Sequence, residues 1–421
     1  MLRLQYTLNL EAAEVQTPIL RRIAAVLEVL EPLAEPLLAK LNEQRGERGR
    51  DDNPNRVLWR CFVAFACLGV PTVTAGLRHL ELSPPLCALC GIGGVVKLPD
   101  KHACYRFERR LAQQLDLLAE MFAQLVRRLA AALPGFGERL AADSTKVHSL
   151  ANGKKPAADE DASWKKYEHQ YQDETGQPRK SVVKWFGYKL HLLVDALYEL
   201  PIAALLTTAK DNDGPHFPAL WSKGKHNLPD LAERADSAAL DKGYDEDETH
   251  QTLWADRVVP IIPLRDQTAE ENKVLLPEGQ QVCPRGDALR CDGFESARHA
   301  LRYDLPKTCP KRNGAGYCEF ADNCRQKLVR VKLTADNLRH LGPVPRTSKQ
   351  FERLYDGRTA AERVNSRAKQ HWGLDCLRRR GLKRVGVWAW LALLCLDAFA
   401  LTMAQAGRFA EVRKTVYSVT G

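Results

Sequence analysis

Tyr355-Asp356-Gly357-Arg358-Thr359-Ala360-Ala361-Glu362-Arg363-Val364-Asn365-Ser366-Arg367-Ala368-Lys369 is the stretch on which the fold and chemistry of this chain turn. At 100° per residue, a helix through all of it gathers Tyr355, Arg358, Glu362 and Lys369 within about 60° of one another. One face then carries a phenol, a guanidinium, a carboxylate and an ammonium. Such a face can ligate a divalent cation through its acid and grip phosphate oxygens through its cations. It can equally be a solvated face stapled by the i, i+4 pair of Arg358 and Glu362. Acids elsewhere in the chain decide between the two.

Two acids close apolar runs: Leu140-Ala141-Ala142-Asp143-Ser144-Thr145 and Ala238-Ala239-Leu240-Asp241-Lys242-Gly243-Tyr244. A charge at the end of a buried strand is costly, and two exceed what patterning requires, although either alone also reads as a loop-start or cap residue. Asp211, Asp213 and Asp245 are substitutes for the second carboxylate. They rank below Asp241 because Asp211 and Asp213 sit in a turn with Gly214, and Asp245 follows the strand end. Phosphoryl transfer between DNA strands calls for carboxylates from distant parts of a chain around two hard cations, magnesium or manganese. Asp143, Asp241 and Glu362 supply that set as both catalytic residues and metal ligands. Lys189 and His191, on one face of a predicted strand, are accessory candidates for holding phosphate or water; a structural role for a sheet-face histidine stands beside that reading.

The surrounding pattern is α/β. Apolar residues three and four apart predict helices through residues 18–133, interrupted at 46–54, at Pro71 and at 83–99, and closed by Pro134 and Gly135. Strands are expected over 139–147, 184–196 and 201–207, then a strand ending at Asp241, a helix over 247–255 and a fifth strand over 258–263. Residues 152–179 are polar and read as a loop. The expected division is a helical domain at 1–134, a first catalytic part at 135–267, an insertion at 268–342 rich in Cys, Pro and Gly, and a second catalytic part at 343–421 bearing the Glu362 helix and a terminal helix.

The 421 residues carry a formal net charge of +10, and residues 301–384 hold 21 Lys and Arg against 8 Asp and Glu. A basic surface concentrated in one fifth of the chain points to a polyanion, with nucleic acid the commonest such partner. Within it Arg378, Arg379, Arg380, Lys383 and Arg384 read as contacts to the DNA backbone, with Tyr355, Arg358 and Lys369 holding phosphates near the acids. The first thirty residues lack the order of a secretory signal, since Glu11, Glu14 and Glu28 interrupt the apolar positions; a cytoplasmic protein with reduced thiols is expected. Cys283, Cys291, Cys309, Cys318 and Cys324 cluster in the insertion and are candidate zinc ligands, although no pair has the two-residue gap of a zinc knuckle. Residues 385–406 are nearly all apolar but contain Asp397 and Gln405, which favours a buried helix over a membrane span.

Tyr, two residues, Arg, three residues, Glu, six residues, Lys resembles the Y-R-E-K signature of DDE transposases of bacterial insertion sequences, matched here at all four positions. The phrases Asp241-Lys242-Gly243-Tyr244, Phe186-Gly187-Tyr188-Lys189-Leu190-His191 and Arg378-Arg379-Arg380-Gly381-Leu382 are similar to segments of the same family, so that the resemblance covers about residues 135–405. It implies a ribonuclease-H-like mixed five-stranded sheet with flanking helices, Asp143 on the first strand, Asp241 at the end of the fourth and Glu362 on a later helix. It also implies recognition of terminal inverted repeats, which the helical amino-terminal part is expected to supply. Cleavage at the element ends and joining of the 3′-hydroxyls to target double-stranded DNA would follow, with a homodimer handling the two ends. Some members pass through a DNA hairpin and use a tryptophan in the insertion; residues 268–342 here contain none. A metal-dependent nuclease of the same fold and a domesticated DNA-binding protein without chemistry are the rival readings.

Overall fold

The computed structural model describes residues 17–45, 53–70, 72–151, 153, 158–172, 177–265, 281–314, 316–320, 324, 328–375 and 377–414. Helices α1 (Pro18–Leu33), α2 (Glu35–Arg45), α3 (Asn55–Leu68), α4 (Val73–Leu82), α5 (Pro84–Cys90), α6 (Lys101–Leu111) and α7 (Leu115–Ala132) come first. Strands β1 (Arg139–His148), β2 (Ser163–Gln172), β3 (Pro178–Asp195) and β4 (Leu200–Thr208) follow. Then come α8 (Phe217–Asn227), α9 (Leu231–Arg234), β5 (Ser237–Leu240), α10 (Asp247–Ala255) and β6 (Val259–Ile261).

The principal sheet is mixed. β3 pairs antiparallel with both β1 and β4, while β5 runs parallel to β1 and β6 parallel to β5. The order β4, β3, β1, β5, β6 reproduces the five strands expected from the sequence. β5 is buried at every residue and β1 begins with buried Leu140, Ala141 and Ala142, as parallel strands covered on both faces require.

The region read as a loop contains a strand. β2 pairs with the first half of β3, from Ser163 against Gly187 to Gln172 against Pro178, and forms a ribbon that continues β3 past the end of β1. Trp164, Tyr167, Tyr171, Val182 and Val183 lie exposed along it. Neither face is covered, so no apolar alternation marks the strand in the sequence. Gly187 is the pivot: its φ is +154°, and a Cβ there would collide with the Val147 carbonyl oxygen.

The insertion also has more order than its irregular sequence suggests. β7 (Arg290–Glu295), β8 (Ala300–Asp304) and β9 (Leu328–Lys332) form a separate antiparallel sheet. The short helix α11 (Pro310–Asn313) lies between β8 and β9. Leu289, Leu301, Tyr303, Leu305, Leu333, Leu338 and Leu341 pack beneath it in a cluster distinct from the main core. The chain then returns through α12 (Lys349–Tyr355), α13 (Thr359–His371) and α14 (Leu382–Gln405).

α14 decides the overall architecture. It is long and apolar enough to cross a membrane, yet it lies inside the protein, packed against α7, α1, α3 and β4. Its burial gathers the amino-terminal helices and the sheet into one continuous apolar core. The helices expected to stand as a domain bounded at 134 therefore share their interior with the strands that follow. Glu108 of α6 receives the Arg379 guanidinium and, at 2.7 Å, the Trp388 indole N–H, all three buried. Arg379 also lies 4.7 Å over the Trp388 ring.

Candidate active site

The parallel register of β1 and β5 sets Ala142 against Leu240. Asp143 is the next residue of β1 and Asp241 the first residue after β5, so they emerge side by side from neighbours that run roughly 4.8 Å apart. Asp143 does not end its strand as expected, because β1 continues to His148 against β3. Burial first, with Asp241 and Asp213 adding to it, raises the Asp143 carboxyl to about 6 against a hydrogen bond from the Ser144 backbone and the charge of Arg358. Asp241 is likewise raised, by burial first and then by Asp213. Asp213 opposes the ionisation of both acids, and a cluster of this kind favours a cation.

Asp241 Oδ1 accepts the Gly243 N–H at 2.8 Å, capping the 3-10 turn Lys242–Tyr244. A Cβ on Gly243 would stand 2.8 Å from that same oxygen, so the turn needs glycine. Arg265 buttresses the loop from outside, donating to the carbonyls of Lys242 and Gly243 and pairing with Glu246 at 2.7 Å.

α13 crosses above. Glu362, Asn365, Ser366 and Lys369 share one face of it, and with Asp143, Thr145, Gln370 and Asp375 they line an open cleft of about 410 Å³. Asn365 donates its amide to Asp143 at 3.2 Å, fixing that helix face over β1. Glu362 is half exposed and its carboxylate accepts from Arg358 at 2.7 Å. As the side chains stand, no three His, Cys, Asp or Glu among the described residues enclose a metal ion. The donor types nevertheless suit a hard cation: Asp143 and Glu362 line the cleft, and Asp241 neighbours Asp143 through the β1–β5 register.

Tyr355, Arg358, Glu362 and Lys369 do not lie on one uninterrupted α-helix. α12 ends at Tyr355, a 3-10 turn spans Asp356–Arg358, and α13 starts at Thr359, with right-handed helical dihedrals maintained throughout. The group stays together: the Arg358 guanidinium lies 5.5 Å from the Tyr355 ring, and its Nε is buried without a partner. Lys369 lines the cleft, its ammonium held below the usual range by burial, with Asp375 opposing.

Several sequence candidates sit elsewhere than their reading suggests. Lys189 and His191 are both buried and pair with Ser144 and Lys146 positions of β1, on the sheet face away from Asp143. Their partner is Asp213, 2.9 Å from Lys189 Nζ and 3.5 Å from His191 Nδ1. Burial lowers His191 to about 4 despite Asp213; its Nε2 meets the Thr207 hydroxyl at 2.9 Å, and the hydrogen bond to Asp213 comes from the Lys189 ammonium. Asp213, ranked low as a turn residue, thus adjoins the site and raises both Asp143 and Asp241. Only a tertiary contact reveals this. Asp245 is a fold residue: burial alone would raise it, but His250, the Arg265 N–H and Arg339 bring it to about 2. Of the basic run, Arg378, Arg380, Lys383 and Arg384 are exposed, whereas Arg379 is buried on Glu108 and is withdrawn from any DNA surface. Cys283, Cys309, Cys318 and Cys324 line one small cavity, while Cys291 lies on β7 opposite Tyr303 and is not among its lining residues.

The solved structure described as a cryo-EM structure of piggyBac transposase synaptic complex with hairpin DNA aligns with 95% of this chain and 80% of its own, at 12% identity and a TM-score of 0.38. None of the curated proteins compared with the chain matches it. The sequence matches the family model described as transposase DDE domain over residues 134–397, a span that holds Asp143, Asp241 and Glu362 and covers more than half of the chain. The chain therefore belongs to the transposase DDE-domain family.

Proposed function

We propose that this chain cleaves DNA at the ends of an insertion sequence and joins the freed 3′-hydroxyls to target DNA, with Asp143, Asp241 and Glu362 as its catalytic acids. The observation that carries this reading is that the parallel register of β1 and β5 brings Asp143 and Asp241 next to each other, with Asp143 sharing a cleft with Glu362 of α13. The strand order supports a ribonuclease-H-like sheet.

The three carboxylates would hold two magnesium or manganese ions, which when bound polarise the phosphate and activate the attacking oxygen. The chain's own groups position the DNA. Arg358 is the main phosphate anchor, with the Tyr355 ring beside it. Its ion pair with half-exposed Glu362 can be exchanged, phosphate taking the guanidinium and releasing the acid. Lys369 faces the same cleft.

Outside the cleft, Arg378, Arg380, Lys383 and Arg384 form a basic edge. α6 presents Lys101, His102, Tyr105, Arg106 and Arg109 to solvent, a face suited to duplex phosphates and our candidate for terminal-repeat recognition. Handling two ends in one reaction calls for at least a homodimer on DNA.

The test is a strand-transfer assay with pre-cleaved element ends in magnesium or manganese, comparing the native chain with Asp143→Ala, Asp241→Ala and Glu362→Ala. Joined products from the native chain alone support the proposal. Hydrolysis without joining would make the protein a nuclease, and end binding with no chemistry in any chain would make it a domesticated DNA-binding protein.

A further inference from the structure

The insertion is too small to hold itself together by apolar burial. Its three strands cover a cluster with few fully buried side chains, and modules of this size ordinarily need a cross-link or a metal. Beside that cluster, Cys283, Cys309, Cys318 and Cys324 come from four separate segments to line a cavity of about 20 Å³, room for one water-sized sphere. We infer that this cavity is a structural zinc site with Cys283, Cys309, Cys318 and Cys324 as its ligands, and that Cys291 is not one of them.

The local backbone is built to present thiols. Cys283 opens a tight turn in which the Gly286 N–H donates to the Cys283 carbonyl at 2.8 Å, and the Cys283 N–H donates to Asp287 at 2.8 Å. Gly286 has a φ of +92°, which lets the chain double back beneath the sulfur. Cys309 is buried, its N–H donating to Pro306 at 3.0 Å, and Pro310 begins α11 immediately after it. Cys318 and Cys324 line the cavity from the following segment. Cys291 has a different setting: it is cross-strand from Tyr303 on β7 and does not line the cavity.

Four thiols as the ligand set select a tetrahedral, thiophilic ion, and zinc is the common one. Binding converts four thiols and one Zn²⁺ to a tetrathiolate complex of net charge −2 with release of four protons. Asp287 also lines the cavity, but it is paired with Arg285 at 3.4 Å. The thiols are not at ligand distance as they stand, so the ion would draw the four segments inward. What it would fix is functional ground: Arg339, just beyond the small sheet, reaches Asp245 at 3.3 Å, behind the loop that carries Asp241. The inference does not depend on the catalytic reading, because the site shares no residue with the acidic cleft.

The test uses full-length protein, with zinc measured by elemental analysis and with cobalt substituted for zinc. One zinc per chain is expected, together with the sulfur-to-cobalt charge-transfer and tetrahedral d–d bands of a four-thiolate site. Cys291→Ser and Asp143→Asn should keep the ion and its bands, whereas Cys318→Ser and Cys283→Ser should lose at least tenfold in affinity. Zinc-free native protein that shows no thiolate bands with cobalt would overturn the assignment. So would loss of the ion from Cys291→Ser. Because the native chain and Cys291→Ser retain all four proposed ligands, misfolding of a ligand variant cannot decide the outcome.

Discussion

Ionised Asp143 opposes folding, since burial and its acidic neighbours hold its carboxyl near 6 against about 3.9 in an unfolded chain. A raised acid contributes stability below the unfolded value and loses it as pH rises through the folded one, so this group weakens the fold progressively between about pH 4 and 6. Asp143→Asn removes the penalty and keeps the shape, and its amide can donate to the buried Asn365 oxygen that has no partner. The variant should be roughly 2–3 kcal/mol more stable than the native protein at pH 7, converging with it near pH 4, while DNA cleavage disappears. Urea unfolding across that range measures this, and equal stability at pH 7 would reject the raised carboxyl. Native cleavage should fall as pH drops through about 6, because protons compete with metal for the same oxygens. Gly243→Ala should lower cleavage at least tenfold in a folded protein, since the new methyl meets Asp241 Oδ1; circular dichroism beside the rate measurement separates that from unfolding.

Among the elements, the strand leading to Asp241 and the helix bearing Glu362 were legible, the first from its apolar run and the second from the spacing of Tyr355, Arg358, Glu362 and Lys369, whereas the run before Asp143 did not show that β1 continues to His148. Asp213 was not: its neighbourhood arises only when the turn after β4 folds back over Lys189 and His191. β2 escaped for a different reason, having no buried face to impose a period of two. Arg379 shows the limit of reading a charge run. Its neighbours in sequence face water, but it enters the core as the partner of Glu108. Arg379→Ala should therefore cost about 3–5 kcal/mol by leaving a buried acid unpaired without altering the salt dependence of DNA binding. Arg380→Ala should do the reverse, leaving stability unchanged and reducing the slope of log Kd against log salt by about 1. Binding titrations at several salt concentrations, paired with melting curves, distinguish the two.

At the scale of the whole molecule, five of the strands and the helices before and after them were foreseeable, but the order of the strands and the union of the helices with the sheet were not, because local periodicity says nothing about which apolar faces meet. α14 closes the chain yet is packed on helices from its beginning. Removal of residues 1–134 should consequently give an aggregating polypeptide instead of a working catalytic half, as size-exclusion chromatography would reveal; a monomeric, cooperatively melting fragment would contradict the shared core. The same feature bears on ancestry. Proteins whose recognition and chemistry occupy separate modules can acquire new targets by exchanging cassettes between genes. Here an exchange at the boundary near residue 134 would mismatch α14 with its bed, so a lineage of this architecture must change its target by substitution on the outer faces, one side chain at a time, and inherit its interior whole.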